Sequence, residues 1–230
     1  ADIAEFPALA QRKGFVFAAP DGRSLPFALG RSVRSWNAGR CCGPAVTNRV
    51  DDVAFITALV NELRGRLPSV GKVAIVGHSN GAMLAWRIAC ERPATASVYV
   101  PVAGAFEGTA GCAKASGTSL LAIHGDADQN HPIKGGTGSR TISGVSYRSM
   151  AQSLSTWRTA RACPGAGTTK VSGALRTTTW NCTRATSRYT VVADADHPWP
   201  GSAPSGTGFQ GTPSTAMDAT SVAWNLIRTH

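Results

Sequence analysis

The chain is short of acids. Thirteen Asp and Glu stand against 23 Lys and Arg in 230 residues, for a formal net charge of +10. Lysine is scarce too, at five, so arginine carries most of the excess. Only 16% of residues are charged, and the chain has no Lys/Arg run and no basic helix interleaved with aromatics. That scatter argues against a nucleic-acid partner, which needs a concentrated basic surface. A thin basic coat suits contact with an anionic polymer or cell wall, or plain solubility. No C-x-x-C pair occurs, which excludes a zinc ribbon. No apolar run approaches the roughly 20 residues of a membrane-spanning helix. There is no internal repeat and no linker, so one domain over 1–230 is expected. The first residue is Ala1 rather than Met and no signal-like segment follows, which reads as a processed or trimmed chain.

What is present is a hydrophobic share of 43% and six cysteines, at 41, 42, 90, 112, 163 and 182. An even count at wide spacing suits disulfides formed in an oxidising compartment, so a secreted protein is expected. Fifteen pairings are possible. Cys163 and Cys182, which flank a Gly/Thr-rich excursion, are the preferred pair. Closing a loop of that size contributes roughly 3 kcal/mol. The pairing of Cys41, Cys42, Cys90 and Cys112 stays open.

Along the chain, residues 3–13 read as a helix stopped by Gly14 and "FVFAAPDG" as a buried strand and turn. Residues 24–47 read as a long loop. Residues 49–67 form an amphipathic helix, with Val53, Ile56, Val60, Leu63 and Leu67 three or four apart and Asp51 and Asp52 in its first turn. "KVAIVG", "SVYVPVAG", "SLLAIHG" and "SRYTVVADADH" read as further strands, making five. Helices are expected at "AMLAWRIACERP", "SYRSMAQSLSTWRTARA" and "STAMDATSVAWNLIRT", and a Gly-rich loop at 132–145. Continuous apolar strands alternating with helices mean an α/β fold, a mostly parallel sheet covered on both faces.

The chemistry concentrates in "VAIVGHSNGAMLAW". The motif G-x-S-x-G is weak alone, expected by chance about 0.2–0.3 times in such a chain. Its setting is stronger: a strand precedes it and a helix follows. That order throws Ser79 out on a tight turn and aims the helix N-terminus, starting with the Asn80 N–H, at a developing oxyanion. A serine needs a base. Acids Asp126 and Asp128 follow the next-but-one strand, and His197 follows the last, which is the chain order Ser, acid, His. Asp128 is preferred over Asp126 because it lies farther past the strand end. Asp194 and Asp196, flanking His197, are weaker candidates to orient it. His78 is read as pointing away from the serine oxygen and is kept among the substrate-contacting candidates. His124 lies inside a strand and reads as structural. His131 and His230 are weaker still. His124, Asp126, Asp128 and His131 also form a ligand-like cluster, and Asp126-x-Asp128-x-Asn130 imitates the start of an EF-hand loop. The sixth position is His131 rather than Gly and the twelfth is Thr137 rather than Glu, so no metal is expected.

These residues carry a resemblance. "SWNAGRCCG" (35–43), "VDDVAFITALV" (50–60), "GHSNGAM" (77–83), "PVAG" (101–104), "IHGDAD" with "PIKGG" (123–136) and "DHPWPG" (196–201) resemble, in order and over nearly the whole chain, the secreted esterase/polyhydroxybutyrate depolymerase family of α/β-hydrolases, which includes feruloyl esterases. The resemblance implies an α/β-hydrolase fold, a Ser79/Asp128/His197 triad and hydrolysis of polymer-linked esters through an acyl-enzyme. It implies no cofactor, no nucleic-acid or membrane partner, and a monomer. Trp199 would line the acyl or leaving-group pocket. Trp36 and Asn37 would sit near its mouth, with structural packing an equal alternative for Trp36. Three features depart from the family: Ala195 and Asp196 replace glycines before the histidine, His131 replaces an apolar residue, and an upstream region with a His-Gly turn supplying a second oxyanion donor does not precede the first helix. The last leads to the expectation that the sequence belongs to a longer protein. Acyl transfer on the same triad, a catalytically silent polymer-binding module and a metallohydrolase are the alternative readings.

Overall fold

A computed structural model describes residues 4–26, 32–204 and 211–230. The first helix, α1, spans Phe6–Lys13 and ends at Gly14, whose φ of +70° turns the chain and lets its N–H reach the Ala10 carbonyl. The expected start of this helix at Ile3 lies outside the described residues. Residues 15–20 are not the strand that their apolar sequence suggests. They run without regular structure, and among the described residues no hydrogen bond joins residues 16–20 to any strand. Apolar content secures burial, but a strand also needs a neighbour to pair with.

The region read as one long loop contains short elements. β1 (Ser24–Pro26) pairs antiparallel with β2 (Ser32–Arg34), and a single helical turn, α2, covers Gly43–Thr47. Residues 27–31 of that region lie outside the described residues. α3 (Asp52–Arg66) starts on Asp51, whose side chain accepts from the Ala54 N–H at 3.0 Å. Asp51 is thus the cap rather than a first-turn residue, and only Asp52 lies inside the helix.

The main sheet has six strands in the order β3 (Ala74–His78), β4 (Val98–Val102), β5 (Ser119–Gly125), β8 (Ala185–Val192), β7 (Leu175–Cys182), β6 (Thr168–Ser172). The first four are parallel and the last two antiparallel, so the class is α/β with a mixed, mostly parallel sheet. β6 and β7 lie in the Gly/Thr-rich excursion and were not expected. Their strand character comes from threonine, a β-branched residue, and the ladder is tied by Thr169–Thr178 and Thr177–Thr190 hydroxyl pairs at 2.9 Å. The last strand stops at Val192, so His197 sits on the loop beyond it.

Alternation sorts the core. Tyr99, Leu120 and Ala122 face a layer with α3, α4 (Asn80–Glu91) and α5 (Met150–Ala160), centred on Trp86 and Trp157. Val98, Val100, Leu121 and Ile123 face α1 and α6 (Ala219–Ile227), with Phe6 and Trp199. Three disulfides close loops: Cys163–Cys182, the expected pair, together with Cys90–Cys112 and the adjacent Cys41–Cys42. A cleft of about 730 Å³ separates residues 15–20 from β3 and reaches the rims of His78 and Trp199.

Candidate active site

Parallel strands carry their loops to one edge, and the chemistry gathers at the carboxyl ends of β3, β5 and β8. Ser79 follows β3 at φ +54° and ψ −122°, a conformation that ordinary side chains avoid. The chain must double back at once into α4. A Cβ at Gly77 would overlap the Gly81 carbonyl, so the first glycine of the motif is required by the closeness of the turn. A Cβ at Gly81 would meet nothing within 4 Å, so that glycine has no such steric demand here. The turn is fixed to the next strand by the Ser79 N–H, which donates to Val102 O at 3.0 Å.

Asn80 opens α4, and its N–H has no acceptor within the helix. Its side chain has a separate task. It accepts from the Trp36 N–H at 2.7 Å and donates to the Trp36 carbonyl at 3.0 Å, clamping the 35–43 loop to the turn.

His197 donates from one ring nitrogen and accepts on the other. Its Nε2 lies 2.8 Å from Ser79 Oγ and its Nδ1 lies 2.8 Å from Asp128 Oδ2. An ionised carboxylate only accepts, so the neutral imidazole carries its proton on Nδ1 and leaves Nε2 free to receive the Ser79 proton. Asp128 and His197 are 4% and 3% exposed. Burial alone would raise the Asp128 carboxyl. Hydrogen bonds from His124 and His197 outweigh it and hold the group well below the usual carboxylate range. The other Asp128 oxygen accepts from the Asn130 and His131 N–H groups at 2.9 and 2.8 Å, so the acid is held by its own turn.

The remaining candidates separate cleanly. Asp126 does not reach His197, because its carboxylate accepts from the Asp194 N–H at 2.7 Å. Asp196 accepts from the His197 backbone N–H at 2.9 Å, not from the ring. His78 turns away from the serine oxygen, and its Nε2 donates to the His197 carbonyl at 2.8 Å. Burial, then the neighbouring His197, push His78 down to about 4, so the ring is neutral near pH 7. Trp199 is 2% exposed and its indole N–H donates to Thr220 Oγ1, which makes it a core residue touching the inner end of the cleft. The Asn37 side chain is held by its own loop: its amide donates to Val50 O and its oxygen accepts from Gly39 N. Trp36 stacks on Phe55 with ring centres 6.3 Å apart, the packing alternative.

Two further residues of the 124–131 cluster border the acid. His124 Nε2 sits 2.8 Å from the His131 carbonyl and 3.4 Å from Asp128 Oδ2, so this buried strand histidine borders the acid. The His124-to-Asp128 spacing was a signal for this contact. His131 stacks on Tyr147, with centres 4.2 Å apart, and burial pushes it down to about 3. Among the described residues no three His, Cys, Asp or Glu side chains are grouped to hold a metal ion. No known family model matches the chain, and no curated protein matches its sequence.

Proposed function

We propose that the protein is a secreted serine carboxylesterase of α/β-hydrolase fold, cleaving esters carried on a polymer such as a feruloylated polysaccharide or a polyhydroxyalkanoate. The observation that carries this reading is the unbroken line from Ser79 through His197 to Asp128, with both links at 2.8 Å and the serine on a strained turn ahead of a helix. His197 takes the Ser79 proton as Oγ attacks the ester carbonyl. The oxyanion accepts from the Asn80 N–H at the positive end of α4. His197 returns the proton to the leaving alcohol, and water repeats the sequence to release the acid. Asp128 holds the tautomer and stabilises the imidazolium. The Asn80 side-chain clamp keeps the donor in register with Ser79.

The polymer and compartment assignments rest on the family resemblance, on the charge of +10, and on three disulfides that suit an oxidising medium. No helix among the described residues is long and apolar enough to cross a membrane. Hydrolysis of p-nitrophenyl acetate tests the reading. A burst of one nitrophenol per chain, abolished in Ser79→Ala, is the expected result. Turnover that survives Ser79→Ala, or none from the folded protein, would contradict it.

A further inference from the structure

We infer that the Asp196–Arg140 pair is a positioning latch that locks the loop of the acid to the loop of the base. The inference rests on the esterase reading of the triad. The two loops leave the adjacent strands β5 and β8, which run parallel in register up to Gly125 and Val192. Their roots are already tied: the Asp126 N–H donates to Val192 O, the Ala127 N–H to Ala195 O, and the Asp194 N–H to the Asp126 side chain. The Ala127 tie holds the residue before Asp128, but none of the three reaches His197 or a residue beside it.

Asp196 does. Its Oδ1 accepts from the N–H of His197 itself at 2.9 Å and from the N–H of Gln129, next to Asp128, at 3.2 Å. One carboxylate oxygen therefore spans both triad loops. Its Oδ2 receives Arg140 Nη2 at 2.6 Å. Arg140 is anchored in turn, because its Nε donates to Gln129 Oε1 at 3.1 Å, its N–H to Gln129 O at 3.0 Å, and its carbonyl accepts from Asn130. Gly211 lies over the pair at φ +91°, where any Cβ would overlap Asp196 Oδ2. The Asp196 side chain is 15% exposed and that of Arg140 32%, so the contact is partly shielded from water and salt.

Geometry sets the scale. A hydrogen bond of 2.8 Å fails if one loop tip drifts by about 1 Å, and displacement of that size in a catalytic group can lower a rate about 100-fold. Since the loop roots stay tied, a smaller loss is expected.

The test uses Asp196→Gly, Asp196→Asn and Arg140→Gln in the full chain, with p-nitrophenyl acetate hydrolysis and the low-field NMR signal of the His197 Nδ1 proton. Asp196→Gly is expected to lower kcat about 10- to 30-fold with KM within about twofold, and to broaden or shift the His197 signal. Asp196→Asn keeps an oxygen facing both N–H groups and is expected to recover most of kcat. Arg140→Gln is expected to fall about threefold. Wild-type kcat together with an unchanged His197 signal in Asp196→Gly would overturn the latch. So would an Asp196→Asn no better than Asp196→Gly. If Asp196→Gly does not fold, wild-type kcat and signal in Asp196→Asn combined with Arg140→Gln would overturn it equally. The wild-type turnover reports separately on the esterase reading, and the His197 signal reports on the latch even where no ester is hydrolysed.

Discussion

The two ends of the six-stranded sheet are built on different rules. At the parallel end, β3, β4 and β5 are largely apolar and β8 becomes so at its carboxyl end, and Ser79, Asp128 and His197 each follow one of its strands. The antiparallel end, β7 and β6, is rich in threonine, and no triad residue lies on it. Their outer strands differ in the same way. β6 (Thr-Thr-Lys-Val-Ser) is exposed along its whole length and carries a lysine, the usual means by which a sheet ends safely in water. β3 (Ala-Ile-Val-Gly-His) has no charge, is half-buried throughout, and among the described residues pairs on one side only. β3 thus has the composition of an interior strand at an edge position, beside a cleft whose far wall, residues 16–20, joins no strand among the described residues. The comparison teaches that the two ends meet different demands: the parallel end carries the core and presents the Ser79 turn, and the antiparallel end closes the sheet in water.

The sharpest way to break this division is to strike each half in turn. Ser79→Ala in the parallel half is expected to abolish turnover, by about 10⁴-fold or more, while changing the unfolding free energy by less than about 1 kcal/mol, because alanine keeps the Cβ and with it the backbone strain of the position. Paired assays of hydrolysis and urea unfolding check both. In the antiparallel half, replacing Cys163 and Cys182 together by serine is expected to remove about 3 kcal/mol of stability and to leave kcat within about twofold. A large fall in kcat in that variant would dissolve the distinction between the halves.

The two edges can be compared directly. Ile75 on β3 packs against the core, so Ile75→Lys is expected to cost about 2–3 kcal/mol. Val171 on β6 is 66% exposed, and Val171→Lys is expected to change stability by less than about 0.5 kcal/mol. Urea midpoints at constant m-value decide it.

A further effect is one of pH. His131 is held neutral in the fold down to about pH 3, whereas in the unfolded chain it binds a proton below about pH 6.5. The unfolded state therefore gains protons that the native state refuses, and stability falls as pH drops below about 6.5. Between pH 6.5 and 5 this contribution is about 2 kcal/mol. His131→Phe, which keeps the stacking on Tyr147, is expected to flatten the loss on comparing urea unfolding at pH 7 and pH 5.

Much of the parallel half was legible in the sequence. A run such as Ser119–Gly125, buried at every position, announces an interior strand, and the order of Ser79, Asp128 and His197 announces which loop each would occupy. Three things were hidden for physical reasons. Residues 15–20 have the apolar content of a strand, but pairing is a property of neighbours. β6 and β7 lack apolar alternation, so threonine's β-branching was the only local signal. The contacts of Asp196 with Gln129 and Arg140 join residues 56 or more apart in sequence, a tertiary fact that no local pattern carries. Trp199 and Asn37 teach a related point: their motifs do not say that Thr220 takes the indole N–H or that Val50 takes the amide.

The measurement that bears most directly on the account is labelling of the folded chain with a fluorophosphonate, followed by intact mass and peptide mapping. One adduct per chain on Ser79, absent when Asp128 is replaced by asparagine or His197 by alanine, is the expected result. A folded chain that takes no adduct, or takes it at another residue, would contradict the assignment of Ser79, His197 and Asp128 as a working unit.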